Sequence, residues 1–174
     1  ETKRDKREDL FSATPPLEGK KVLFSLATTE GVGYEKGKRM QGEKVDFIDI
    51  RRAYFHAKAR RLVCVDLPPE DYEEGVCGRL NKAMYGTRDA PAVWQLELEG
   101  TLVSMGFTAS KSTPCLYYNP FTELRVVAHM DDLLIEGSKD ELESFRDRLS
   151  EKYEIKHTIL GPDPDEESKI TYLG

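Results

Sequence analysis

The stretch that most constrains this chain is Arg125-Val-Val-Ala-His-Met-Asp-Asp-Leu-Leu-Ile-Glu-Gly-Ser138. Two apolar runs, Val126–Ala128 and Leu133–Ile135, are interrupted by His129, Met130, Asp131 and Asp132. Both runs are rich in residues that suit a pleated, half-buried surface, so the spacing predicts a β-hairpin. Its turn then carries adjacent carboxylates between buried strands. Aspartate is common in turns for local reasons. Ionised carboxylates beside apolar strands also cost free energy unless a cation pairs with them. The pair alone leaves both readings open.

A third aspartate upstream weighs on that choice. Val45-Asp-Phe-Ile-Asp-Ile50 alternates as a strand, with Val45, Phe47 and Asp49 on one face. Leu62–Leu67 and Val76–Leu80 are further candidate strands, divided by Pro68-Pro69. From Pro91 the period becomes helical: Trp94, Leu98, Leu102 and Met105 form a core stripe, and Gly106 stands at a C-terminal cap. Cys115–Tyr118 reads as a short strand before an Asn119-Pro120 turn. Ser138 and Glu141 form a capping-box pattern for a helix carrying Leu142, Phe145, Leu149 and Tyr153. An acidic loop, Gly161 to Glu167, leads to a last strand at Ile170–Leu173. Nearer the N-terminus, Thr14 is the expected cap of a helix that buries Leu17, Val22, Phe24 and Leu26 and ends near Thr29. Gly31 to Gly42 reads as a solvated loop, with phosphate contact as the sharper alternative.

From residue 45 onward these elements run β, α, β-hairpin, α, β, the βαββαβ split motif of ferredoxin-like α+β folds. In that topology the first and third strands are antiparallel neighbours. The end of the strand bearing Asp49 then lies beside the turn bearing Asp131 and Asp132. Three clustered carboxylates repel one another without a cation, and oxygen ligands suit magnesium. Two such ions can activate a hydroxyl and stabilise a leaving pyrophosphate in an in-line displacement.

At 174 residues the chain suits one compact unit, read as 45–174 behind a lead-in at 1–44. Its net charge of −6 is poor for a nucleic-acid binder, but the basic residues cluster early, at Lys36/Lys38/Arg39, Arg51/Arg52 and Lys58/Arg60/Arg61. Three separated cysteines without a Cys-X-X-Cys pair read as reduced core residues of an intracellular protein. No apolar run approaches a membrane span, and the charged start does not read as a signal peptide.

Phe47-Ile-Asp-Ile-Arg-Arg-Ala-Tyr-Phe55 resembles the first palm motif of reverse transcriptases. His129-Met-Asp-Asp132 resembles their Tyr-X-Asp-Asp motif. Between them, Val76-Cys-Gly-Arg-Leu-Asn-Lys-Ala-Met-Tyr-Gly-Thr-Arg-Asp-Ala-Pro-Ala-Val-Trp94 resembles the segment that marks copia-type retrotransposon polymerases. Tyr172-Leu-Gly174 fits the same family, and Leu10–Pro16 fits its finger region more loosely.

The resemblance implies an RNA-directed DNA polymerase palm with partial fingers at 1–44 and a finger insertion about 56–85. It implies Asp49, Asp131 and Asp132 as catalytic carboxylates, with the Ile50 carbonyl assisting at two Mg2+ ions, Mn2+ being an alternative. Arg52, Ala53, Tyr54, Tyr85, Gly86 and Arg88 would bind the deoxynucleotide, with Tyr54 excluding a 2′-hydroxyl. From its residue type alone Tyr54 is also a plain core aromatic. His129, Met130 and Pro91 would lie toward primer and template. Implied partners are an RNA or DNA template-primer, deoxynucleotides and the remaining Pol polyprotein domains, integrase and RNase H. Implied surroundings are a cytoplasmic virus-like particle, with the nucleus as an alternative. His129 departs from the family's usual tyrosine. Thumb and RNase H are expected beyond Gly174, so weak activity is expected of this stretch alone. The rival readings are a decayed or domesticated remnant acting as a binding module, and another palm-type polymerase or cyclase.

Overall fold

The computed structural model describes residues 12–38 and 41–170. Helix α1 (Leu17–Thr28) precedes strand β1 (Lys44–Ile50), short strands β2 (Cys64–Val65) and β3 (Gly78–Arg79), and helix α2 (Ala90–Ser104). Strands β4 (Thr108–Ala109), β5 (Leu116–Tyr118), β6 (Arg125–His129) and β7 (Asp132–Gly137) follow, then helix α3 (Lys139–Ser150) and strand β8 (Ile155–Leu160). The class is α+β, and every named strand pairs antiparallel. Tertiary contacts divide the chain into two compact units. One contains Ser12 and Arg52–Glu99; the other contains Ala13–Arg51 and everything from Gly100.

The larger unit is built on a six-stranded sheet of order β4-β5-β6-β7-β1-β8. Alternation along β1 sends Val45 and Phe47 to one face, where they form a core cluster with Leu23, Val127 and Leu134. Helix α1 supplies Leu23, and its Phe24 ring lies 6.1 Å from that of Phe47. Leu17 and Val22, expected to be buried, are 59% and 52% exposed. The helix is rotated so that Gly19 and Leu23 face inward, and Gly19 sits close against Leu116. Thr14 is not the cap. Pro16 occupies that position in extended conformation; Pro15, which precedes a proline, is disfavoured in the helical region and so is a poor first helical residue after a Thr14 cap.

The opposite face carries Asp46, and α3 crosses it, since Arg146 Nη1 donates to Asp46 Oδ2 at 2.7 Å. Leu142, Phe145 and Leu149 of α3 are buried, and Phe145 meets Phe107 edge-on at 5.6 Å. Ser138 does occupy the N-cap, but its side chain makes no capping hydrogen bond. The end of α2 reaches this layer through the Thr101 hydroxyl, 2.7 Å from that of Tyr153. Gly106 closes α2 at φ 97°, a conformation open to glycine at no steric cost.

The fourth strand beside the hairpin differs from expectation. It is Ile155–Leu160, paired with β1 from Val45 to Ile50 in a stretch where no strand was expected. Ile170 instead packs against the core cluster, and 171–174 lie outside the described residues. The acidic loop after β8 is held by Lys44, whose buried ammonium lies 3.0 Å from Glu166 Oε2 and 3.2 Å from Asp163 Oδ2.

In the smaller unit, Arg52 adopts φ 54° and opens a 3-10 turn over Ala53–His56. Tyr54 is buried with its ring 4.4 Å from that of Tyr85, which Phe55 meets edge-on at 5.7 Å. The strands expected at Leu62–Leu67 and Val76–Leu80 shrink to a two-residue ribbon with Cys64 opposite Arg79. Leu62 at 71% exposed and Val76 at 47% have no core to enter. Cys64 and Cys77 are exposed, correcting the expectation of buried cysteines, while Cys115 is buried.

Candidate active site

Strand register brings the sequence's aspartates together within the larger unit. The hairpin joins β6 to β7 through Met130 and Asp131, with His129 opposite Asp132. Asp132 in turn stands opposite Asp49, and Asp49 opposite Lys156. Residues in register share a face, so His129, Asp132, Asp49 and Lys156 form one row across β6, β7, β1 and β8. Asp131, on the turn, is anchored by its carbonyl, which accepts from the Ile50 amide at 2.9 Å. That same bond locks the end of β1 to the hairpin. Met130 is half exposed at φ 57°, a costly conformation for a non-glycine residue and one that a functional turn can store.

The electrostatics of the row show a deficit of positive charge. Burial raises the Asp132 carboxyl above its ordinary range; Asp131 and Asp49 push it the same way, and Lys20 opposes them. Lys20 lies on α1, one turn before Leu23, which packs over the strands carrying this row. Its own pKa is lowered by burial, against the pull of Asp132. His129 is held toward its neutral form by burial and by Lys20, and its Nδ1 is buried without a hydrogen-bond partner. Beside the row, Phe47, Asp49, Asp132, Lys156, Thr158 and Ile170 line a cavity of about 260 Å³.

Among the described residues no three His, Cys, Asp or Glu side chains form a ready-made metal cage. Magnesium does not require one: it keeps several waters and takes one or two carboxylates together with substrate oxygens. Two cross-strand carboxylates with a third on the turn, one of them resisting ionisation, suit an ion of that kind.

The nucleotide-side residues named from the sequence fall in the smaller unit: Arg52, Ala53, Tyr54, Tyr85, Gly86 and Arg88. Ala53 and Tyr54 are buried there, Arg52 and Tyr85 exposed, and Gly86 takes φ 88° with open space around it. Pro91 stands in the first turn of α2. The Ile50 side chain is fully buried, so only its backbone is placed to act. Sequence reasoning missed Lys156 and Lys20. Lys156 was hidden because β8 was not foreseen; Lys20 had a legible signal, its helical offset from Leu23.

Residues 38–162 match the reverse transcriptase (RNA-dependent DNA polymerase) family. The chain belongs to that family. Its curated relatives are copia-type. It is 25% identical over 164 residues to the retrovirus-related Pol polyprotein from transposon TNT 1-94 of Nicotiana tabacum, a match covering 89% of this chain and 11% of the polyprotein. It is 30% identical over 126 residues to the Pol polyprotein from transposon RE2 of Arabidopsis thaliana, covering 66% of this chain and 9% of that one. The corresponding RE1 protein is 29% identical over 126 residues. This reverse transcriptase chain thus spans about a tenth of the length of the relatives it matches.

Proposed function

We propose that the chain is the palm of an RNA-directed DNA polymerase that adds deoxynucleotides to a primer on an RNA or DNA template. The observation that carries this reading is the register of Asp49 against Asp132, with Asp131 on the adjoining turn. On this reading β6-β7-β1-β8 with α2 and α3 is the ferredoxin-like split motif of the palm. Asp49, Asp131 and Asp132, with the Ile50 carbonyl, would hold two magnesium ions, or manganese in their place. When bound, these ions supply charge stabilisation for an in-line nucleotidyl transfer. The protein's own part is to hold three carboxylates at one sheet end and to place His129 and Met130 toward the primer. Arg52, Ala53, Tyr54, Tyr85, Gly86 and Arg88 are the proposed deoxynucleotide contacts, and Tyr54 the proposed barrier to a 2′-hydroxyl. The polyprotein names of the relatives support further Pol domains as working partners. The proposed setting is a cytoplasmic virus-like particle.

The first test is calorimetric titration with Mn2+ and Mg2+ in the presence of a deoxynucleotide, comparing the wild type with Asp49→Asn and Asp131→Asn. Saturable binding lost in both variants is the expected result; no binding by the wild type would overturn the metal assignment. The rival reading is a palm kept as a binding or structural module. Primer extension separates the two. Incorporation abolished by Asp131→Asn supports the polymerase, and extension indistinguishable between the two proteins would refute it.

A further inference from the structure

The two-residue ribbon of the smaller unit carries a pair of groups that the carboxylate row does not use. Cys64 stands opposite Arg79, and Val65 opposite Gly78. Continued one step, that register sets Asp66 against Cys77. Side chains alternate between the faces of a strand, so Cys64 and Cys77 lie diagonally on one face of the ribbon. The register is fixed from two sides. Beyond one end the Leu80 amide donates to the Val63 carbonyl at 2.9 Å. At the other, a Cβ on Gly78 would meet the Leu67 side chain at 3.0 Å, so only glycine allows this approach without a shift. Diagonal neighbours are within reach of one another, and here the two thiols come close enough to hydrogen-bond. Both are exposed, whereas Cys115 is buried. Residues 68–77, which lead from one strand to Cys77, are exposed throughout.

We propose that Cys64 and Cys77 are a site of oxidative modification, closing into a disulfide when the chain meets a hydroperoxide. The inference stands apart from the polymerase reading. Cys64 makes the first attack, because its thiol holds the pKa of Cys77 up. With hydrogen peroxide, the Cys64 thiolate attacks one oxygen; an S–O bond forms, the O–O bond breaks and hydroxide leaves. The Cys77 thiolate then attacks the sulfur of the Cys64 sulfenic acid, forming the S–S bond and expelling a second hydroxide. The two thiol protons turn both hydroxides into water. The sulfurs give up two electrons and the peroxide takes them. Drawing the backbones into bridging range disturbs no core, since the segment between them is exposed. The bridge ties residues 65–76 into a covalent loop and limits how far the ribbon can open.

The test is titration of the native protein with hydrogen peroxide, then alkylation of the remaining thiols in denaturant, intact mass and a peptide map. The wild type should fall from three alkylatable thiols to one, Cys115. After cleavage between the two cysteines by a glutamate-specific protease, the Cys64 and Cys77 peptides should stay joined until dithiothreitol separates them. Cys77→Ser should stop at the Cys64 sulfenic acid, trapped by a cyclic 1,3-diketone, and Cys64→Ser should form no bridge. Both serines replace exposed side chains, and a thermal melt matching the wild type confirms that the variants are folded. Oxidation of Cys64 and Cys77 to separate acids overturns the proposal, as do bridges formed only between chains or to Cys115. So does a wild type that keeps all three thiols at a peroxide concentration that oxidises free glutathione.

Discussion

Asp49 and Asp132 stand directly opposite each other on neighbouring strands, two acids in register at one end of the sheet. A pair of this kind lowers the stability of the strands that carry it. Its presence in a sheet otherwise filled with apolar and ion-paired residues is a physical mark of a functional site.

Replacing one member should therefore stabilise the fold. Burial and the flanking aspartates hold the Asp132 carboxyl above its ordinary range. A carboxyl with its folded pKa above its unfolded value binds the proton more tightly when folded. Its contribution to stability falls as pH rises from the unfolded to the folded pKa, and stays lost above it. Asp132→Asn should gain about 0.5 kcal/mol at neutral pH. The gain should vanish below the ordinary aspartate pKa. Thermal melts across this pH range check it, and magnesium at neutral pH should narrow the gap by stabilising the wild type alone. A variant less stable than the wild type at every pH would count against the argument.

Lys20 supplies the positive charge that reaches Asp132 from α1. Lys20→Met should therefore tighten Mn2+ binding about fivefold, by removing an opposing charge worth roughly 1 kcal/mol. Lys20→Arg should leave it unchanged. Electron paramagnetic resonance of free Mn2+ measures both. Weaker binding in the methionine variant would mean that Lys20 organises the carboxylates more than it competes with the ion.

Asp46 is fully buried and bonded to Arg146. Arg146→Met should cost about 3–5 kcal/mol at neutral pH, because an uncompensated carboxylate remains inside. Burial already raises the Asp46 pKa despite Arg146 and the nearby His157. Acidification that protonates Asp46 should therefore shrink the penalty. Urea denaturation at neutral and mildly acid pH tests the sign. Asp46→Leu/Arg146→Leu together should lose much less than the single variant.

The cysteines should separate by burial. Cys64 and Cys77 are exposed and Cys115 is buried with a thiol pushed up by desolvation. A colorimetric thiol reagent should modify the first two in the native protein, and Cys115 only once it unfolds. Cys77 should lag behind Cys64, because the neighbouring Cys64 thiol raises its pKa. Rapid native labelling of Cys115 would contradict the packing of β5.

Local pattern was enough wherever one residue period met one buried face. The hairpin, β1, α2 and α3 were legible for that reason, and the order of motifs was enough to point to the reverse transcriptase family. Strand β8 was not, because Lys156 and His157 interrupt its apolar residues and only pairing with β1 holds it extended. The face of α1 was misread because its apolar residues encircle the helix, leaving docking against Val127 and Leu134 to choose Leu23 over Val22. Cys64 and Cys77 looked like core residues only because composition carries no exposure.

By itself the sequence determined which residues carry charge, which runs extend or coil, and that Asp131 and Asp132 sit at a tight turn between apolar strands. Those are properties of neighbours along the chain. The tertiary structure alone decided that Lys156 faces Asp49, that Lys20 reaches Asp132 from a helix, and that Lys58 is held against Lys82. Each depends on strand register or helix rotation, set by how distant apolar faces bury one another, and no local propensity encodes it.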